Sequence, residues 1–100
     1  MSTNERKVWM VCYDIRDSAR LRAVYKVMRG HGDHLQYSVF RCVLSARQLV
    51  ELKGELLEEI DADQDQVLFV PLGRPGRGND AGMFTLGEPL LHVEKICHVV

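Results

Sequence analysis

Residues Lys7–Asp17, KVWMVCYDIRD, are the most informative segment of the chain for its architecture. From Val8 to Tyr13 both alternating sets of side chains are apolar, which is typical of a central strand covered on one face and partly on the other. The strand then ends on a carboxylate, Asp14. An aspartate in this position often caps the next turn, but it can also belong to a functional site.

The residues after this strand predict a helix and then one or two further strands. Asp17 or Ser18 caps a helix to about Arg29, whose apolar stripe has the i, i+3, i+4, i+7 spacing of one buried face: Leu21, Val24, Tyr25 and Met28. The β-branched and aromatic run His34–Leu44 predicts one long strand, or two short strands that meet near Tyr37–Ser38.

A second helix and strand complete the pattern. Ser45 and Gln48 form a capping box that begins a helix ending near Ile60, and Val67–Leu72 predicts the next strand. Met83–Leu86 and Leu90–Val100 predict extra C-terminal strands after a basic, Gly-rich loop. We therefore expect a single α+β domain over residues 1–100, with its core at about 7–72 and with residues 73–100 used in a dimer.

Strand–helix–strand–strand–helix–strand is the split βαβ pattern, an antiparallel sheet with two helices on one face. The other face of such a sheet is bare and apolar, which favours a homodimer packed through the sheet faces. If Met10 and Cys12 face the helices, Trp9, Val11 and Tyr13 project from that bare face.

The composition excludes several classes of protein. No apolar run reaches the roughly 20 residues of a membrane span, and the N-terminal residues lack the apolar core of a signal peptide. The three cysteines are widely spaced, which favours buried, reduced thiols in a cytoplasmic protein. Residues 1–47 hold nine Lys or Arg against four Asp or Glu, although the formal net charge is −1. The nearly neutral net charge therefore does not exclude an anionic partner.

Asp14 and the arginines after it suggest phosphate chemistry. In the predicted dimer a two-fold axis near the end of the strand brings two copies of Asp14 together, and they would repel unless they shared a proton or held a divalent cation such as Mg²⁺. Four arginines against one lysine favour bidentate phosphate contacts over a merely solvated helix face: Arg16, Arg20, Arg22 and Arg29. Arg41, in the strand region that follows, adds to the positive electrostatic field of these arginines.

Two motifs together resemble a known family. They are YDI at the end of the first strand, residues 13–15, and QYSVF at residues 36–40. Over about Val8–Leu72 the chain resembles the small CRISPR-associated protein Cas-two (Cas2). This resemblance implies a ferredoxin-like fold, a symmetric homodimer, and work in CRISPR adaptation beside the Cas-one (Cas1) integrase, in antiviral defence. It also implies a Mg²⁺-dependent endonuclease acting on RNA or double-stranded DNA, with an activity that some members lack.

The resemblance also implies roles for individual residues. Asp14 matches the metal-binding, catalytic aspartate, and Ser38 matches the serine expected to orient water or phosphate near it. The nucleic-acid-binding positions are matched by Tyr13, Arg20 and Arg22, to which we add Arg16 and Arg41, and Phe40 supports the site structurally. His34 and Arg41 depart from the family pattern, in which a basic and an acidic residue, respectively, are common.

Three functions are consistent with these residues. The first is a metal-dependent endonuclease in which Asp14 is essential. The second is a non-catalytic, DNA-binding dimeric scaffold for the Cas1 integrase, in which Asp14 is structural. The third is a toxin-like RNA nuclease outside CRISPR systems, which shares the chemistry and differs in genomic setting.

Overall fold

The sheet is built around the apolar strand at the start of the chain. The computed structural model describes residues 5–76 and 83–88, whose elements in chain order are β1 (Arg6–Asp14), α1 (Ser18–Arg29), β2 (Asp33–Gln36), β3 (Val39–Ser45), α2 (Ala46–Glu59) and β4 (Gln66–Gly73). The strand order is β2-β3-β1-β4, and all neighbouring strands are antiparallel. The predicted order of helices and strands is confirmed.

The two faces of β1 are opposite to the expected ones. Val11 and Tyr13 are buried in the core beneath the helices, with Trp9 packed against it. Met10 and Cys12 therefore point to the other face, because side chains alternate along a strand. Both sets are apolar, so the sequence did not distinguish them. On the helix face, Trp9 meets the ring of Phe69 edge-on and Tyr13 stacks on Phe40, so the aromatic side chains of β1 pack among other aromatic rings.

Local signals set the bounds of both helices. Asp17 caps α1 by accepting a hydrogen bond from the Arg20 amide, and Ser45 and Gln48 form the predicted capping box of α2. Each helix buries part of its apolar face. The fully buried members are Val24 and Met28 of α1 and Leu52 and Leu56 of α2. Leu21, at the start of the α1 stripe, is 39% exposed, so the stripe opens to solvent near Asp14.

The run His34–Leu44 forms two strands, the second of the two arrangements considered. A turn at Tyr37 and Ser38 separates β2 from β3. Tyr37 has φ of 35°, in the left-handed region that residues other than glycine seldom adopt. The Ser38 carbonyl accepts a hydrogen bond of 3.0 Å from the Tyr13 amide, so the turn lies beside the end of β1.

The face of the sheet opposite the helices, here called the open face, is partly covered by residues 83–85. They line a cavity of about 380 Å³ together with side chains of β1, β2 and β3. The prediction of a strand at Met83–Leu86 is wrong. Residues 83–85 lie against the sheet, but they do not join its hydrogen-bond ladder. On β4, Leu68 of the open face remains 53% exposed. The predicted strand at Leu90–Val100 and most of the Gly-rich loop lie outside the described residues.

Two of the three cysteines lie within the described residues. Cys42 is buried and Cys12 half-buried, and both are free, whereas Cys97 lies outside the described residues. Burial, with a smaller contribution from the Asp33 charge, raises the pKa of the Cys42 thiol to about 12. Within residues 5–76 and 83–88, no helix is both long and apolar enough to cross a bilayer.

Candidate nucleic-acid and metal site

Asp14 is held at the rim of the sheet by backbone pairing on both sides of β1. It lies opposite Gln66 of β4, and one residue earlier the Tyr13 amide is bonded to the turn between β2 and β3. The Asp14 side chain itself is exposed. An exposed carboxylate on a backbone fixed from two sides is well placed to meet a ligand from solvent.

A cavity of about 660 Å³ opens beside Asp14. Its polar wall combines residues from four places in the sequence: Tyr13, Asp14, Arg22, Lys26, Tyr37 and Ser38. Ile15, Leu21 and Tyr25 supply its apolar wall. Arg22 and Lys26 are both exposed and lie one helical turn apart on α1, so two cations face the same cavity as the carboxylate. This arrangement suits an anionic ligand that also presents an apolar surface.

Two tyrosines that line this cavity pack on one buried phenylalanine. Tyr13 is stacked on Phe40 with ring centroids 6.2 Å apart, and Tyr25 meets Phe40 edge-on at 5.8 Å. Burial, and secondarily the nearby Tyr25, raises the pKa of the Tyr13 phenol above its ordinary value. Phe40 is fully buried and, of the predicted site residues, it packs against Tyr13.

Arg20 was expected at the nucleic-acid site, but it does not line the cavity. Its Nε donates to Oδ2 of Asp65 at 2.7 Å and its Nη2 donates to Oδ1 at 3.2 Å, which is a bidentate pair. Asp65 is completely buried as a side chain, and it also accepts hydrogen bonds from the backbone amides of Arg16 and Asp61. The Arg20 guanidinium, with help from these two amides, holds the pKa of the Asp65 carboxyl well below its usual range and outweighs the effect of burial.

The two other arginines predicted for the site, Arg16 and Arg41, do not line the cavity. Arg16 has an exposed side chain in the turn after Asp14. Arg41 lies on β3 opposite Met10, and β2 places Asp33 in register with it. Since Phe40 points into the core, the next residue, Arg41, points to the open face. Of the predicted site residues, the cavity therefore brings together Tyr13, Asp14, Arg22 and Ser38.

Sequence reasoning missed three residues around this site. Lys26 and Tyr37 line the cavity, and Asp65 fixes the turn that follows Asp14. Lys26 could have been found from its spacing of one turn after Arg22. Asp65 sits in the run DADQD at residues 61–65, which resembles the start of a calcium loop and gave no local indication of a partner on α1.

The chemistry of the donors fits Mg²⁺, because this cation prefers oxygen ligands and usually keeps several of its waters. Asp14 offers an exposed carboxylate, and the half-buried Ser38 offers a hydroxyl on the same cavity. Across the part of the chain that the structure describes, no three His, Cys, Asp or Glu side chains gather into a possible metal site. Among residues 5–76 and 83–88, Asp14 is the one carboxylate that lines the cavity, which is a sparse set of ligands for the cation.

Known proteins show similarity to this chain in both sequence and structure. The family model described as CRISPR associated protein Cas2 matches residues 7–79. A CRISPR-associated endoribonuclease Cas2 from Rhodospirillum rubrum is 33% identical over 98 residues, covering 98% of this chain and 95% of the relative. One from Thermodesulfovibrio yellowstonii is 48% identical over 67 residues, covering 67% of this chain and 74% of the relative.

Solved structures agree with the sequence relatives. A crystal structure described as cas2 superposes with a TM-score of 0.72 at 26% identity, covering 85% of this chain and 91% of the other. Streptococcus pyogenes Cas2 at pH 6.5 gives a TM-score of 0.59 at 31% identity, covering 63% and 82%. The four-stranded antiparallel sheet with two helices is thus the arrangement seen in solved Cas2 structures. Together with the family match over residues 7–79, this similarity shows that the chain belongs to the CRISPR-associated Cas2 family.

Proposed function

We propose that this chain is a Mg²⁺-dependent endonuclease that hydrolyses phosphodiester bonds of RNA or double-stranded DNA. The observation that carries the proposal is the cavity in which Asp14 and Ser38 face Arg22 and Lys26. A phosphodiester bound there would meet cations for its charge and oxygen donors for a metal. The names of the relatives, CRISPR-associated endoribonuclease, support a nuclease activity.

The active unit that we propose is a ferredoxin-like homodimer packed through the open faces. In support of it, the open face carries apolar side chains that one copy leaves partly accessible, namely Met10, Val70 and the 53% exposed Leu68. A two-fold axis near the end of β1 would bring the Asp14 carboxylates of two copies together. Such a pair supplies the second acidic ligand that one copy lacks.

The chain's own residues then have distinct tasks. The two copies of Asp14 would hold the cation, and Ser38 would orient the phosphate or the attacking water. Arg22 and Lys26 would neutralise the phosphate charge, and the exposed Arg16, in the turn after Asp14, would add to the positive field. When bound, Mg²⁺ would supply the polarisation of the phosphate and a water of lowered pKa. Arg20 takes no part in this scheme, because Asp65 occupies its guanidinium.

The test is cleavage of labelled single-stranded RNA and duplex DNA by wild type and by Asp14→Asn, with Mg²⁺ and with a chelator. We expect Asp14→Asn or the chelator to lower cleavage at least a hundredfold, because the substitution removes the carboxylate ligand that each copy contributes and the chelator removes the ion. Asp17→Asn is the matched control, since Asp17 is an exposed aspartate of the same turn and asparagine also caps a helix. Unchanged cleavage by Asp14→Asn would contradict the proposal.

A scaffold function is the second candidate, and the sparse donor set favours it. Within the described residues one carboxylate faces the cavity, whereas two exposed cations do. As part of a spacer-acquisition complex with the Cas1 integrase, the dimer would track the DNA backbone without cutting it. If neither protein cuts but both bind duplex DNA, and wild-type protein captures Cas1, this function replaces the first.

We expect the protein to act in the cytoplasm, where free thiols such as Cys12 and Cys42 stay reduced.

A further inference from the structure

Tyr37 is the most unusual residue of the cavity. Its side chain is 91% exposed, and its backbone has φ of 35°, a strained conformation for any residue with a β-carbon. Glycine or asparagine would occupy such a turn position with less strain. A large aromatic ring kept in solvent on a strained backbone suggests that the ring itself has a use.

Hydrogen bonds on both sides fix the turn that presents this ring. Nε2 of His34 donates to the Tyr37 carbonyl at 2.6 Å, and the Tyr13 amide donates to the next carbonyl, that of Ser38, at 3.0 Å. His34 is in turn stacked on the buried Phe40, with centroids 4.7 Å apart. The backbone beneath Tyr37 is therefore anchored to the core. Binding a ligand against the ring would then cost little additional conformational entropy, because the turn is already ordered.

The rest of the cavity matches the parts of a nucleotide. Its volume of about 660 Å³ lies in the range of small-ligand sites and accommodates a base with its sugar. The apolar wall of Ile15, Leu21 and Tyr25 suits a base, and the exposed cations Arg22 and Lys26 suit a phosphate. A base that is paired and stacked within a duplex cannot enter such a cavity, whereas an unpaired base can.

We propose that this cavity binds one unpaired nucleotide of a single-stranded nucleic acid, with Tyr37 stacked on the base and with Arg22 and Lys26 at the phosphate. The inference rests on the proposed function and deepens it, because it names Tyr37 as the residue that recognises an unpaired base at this site. Stacking on a tyrosine tolerates every base, so the site selects for the absence of pairing and not for sequence.

Fluorescence anisotropy in a chelator tests this inference without cleavage. The probes are fluorescein-labelled oligouridylate, oligothymidylate and a DNA duplex of the same length, and the proteins are wild type, Tyr37→Ala and Tyr37→Phe. We expect Tyr37→Ala to weaken binding of both single strands about tenfold and to leave duplex binding within about twofold. Tyr37→Phe keeps the ring and should bind all three probes as wild type does. Thermal melts of both variants verify that they are folded.

Three results would overturn the inference: unchanged binding of single strands by Tyr37→Ala, an equal loss on single strands and duplex, or a loss with Tyr37→Phe as large as with Tyr37→Ala. The last result would assign the effect to the hydroxyl group instead of stacking. Because these measurements are made without metal, their failure concerns the cavity alone. Failure of the nuclease proposal appears separately, in the cleavage assay, either as cleavage that does not depend on Asp14 or as no cleavage by wild type.

Discussion

Arg20 and Arg22 are two residues apart on the same helix, yet they have different surroundings. The guanidinium of Arg20 is bound on two edges by the buried carboxylate of Asp65, and Arg22 is exposed at the cavity beside Asp14. Residues two apart on a helix point about 200° away from one another, so they cannot serve the same surface. In the motif RLR, residues 20–22, one arginine therefore belongs to the architecture and the other faces the candidate site.

This difference shows that an arginine after a strand-end aspartate is not by itself evidence of phosphate binding. What separates the two side chains is a partner 45 residues away in sequence. Asp65 also accepts the amide of Arg16, so the pair fixes the turn immediately after Asp14. Arg20 thus affects the position of Asp14 indirectly, through the backbone, and the next three experiments test that division of roles.

The largest effect should come from removing the buried acceptor. Asp65→Ala leaves the Arg20 guanidinium and two backbone amides without their common acceptor, and we expect it to lower the melting temperature by about 10 °C or more. Circular dichroism melts measure this. Asp63→Ala, an exposed aspartate of the same turn, is the control and should melt close to wild type. Equal melting of the two variants would show that Asp65 does not organise this region.

A smaller effect should appear as pH is lowered. Because the folded state holds the pKa of Asp65 below that of the unfolded chain, the carboxylate contributes stability above the unfolded value of about 4, and this contribution is lost as pH falls below it. Wild type is therefore expected to lose stability in this acid range faster than Asp65→Asn does, so that their melting temperatures converge. Parallel curves from pH 7 to pH 3 would argue against a depressed pKa in the folded protein.

The smallest effect concerns Arg22 and is seen in binding instead of stability. Arg22→Ala should leave the unfolding free energy within about 0.5 kcal/mol of wild type. It should also reduce the slope of log binding constant against log salt concentration by about 1, as expected for one lost phosphate contact. Arg20→Ala should do the reverse and lower the melting temperature with the salt slope unchanged. If Arg20→Ala changed the slope as much as Arg22→Ala, the two arginines would share one role.

Local sequence signals predicted the elements well, because caps and periodicity are local. The Ser45–Gln48 capping box occurs as expected. The structure selects Asp17 from the two candidate caps of α1, and two strands from the two arrangements considered for His34–Leu44. The faces of β1 could not be predicted, since both of its side-chain sets are apolar. The strand at Met83–Leu86 was wrong because β-propensity does not reveal whether a partner strand is available.

The candidate site was only partly accessible to sequence reasoning. Asp14, Ser38 and Arg22 were expected near one another, and they do line one cavity, because the QYSVF turn lies against the end of β1. Arg41 was expected there as well, but its position next to the inward-facing Phe40 sends it to the open face. The partnership of Arg20 with Asp65 and the exposure of Tyr37 depend on tertiary contacts and backbone angles that no local pattern encodes.

The strand order has a consequence for how the protein is made. β1 is the first of the described strands to leave the ribosome and is apolar from Val8 to Tyr13, yet both of its partners, β3 and β4, come much later. At synthesis rates of about 5–20 residues per second, β1 waits roughly 3–10 s before β4 emerges to complete its ladder. During that interval its hydrogen-bonding edge is open to any other extended segment. The nascent chain is therefore most at risk of aggregation before it has been completed.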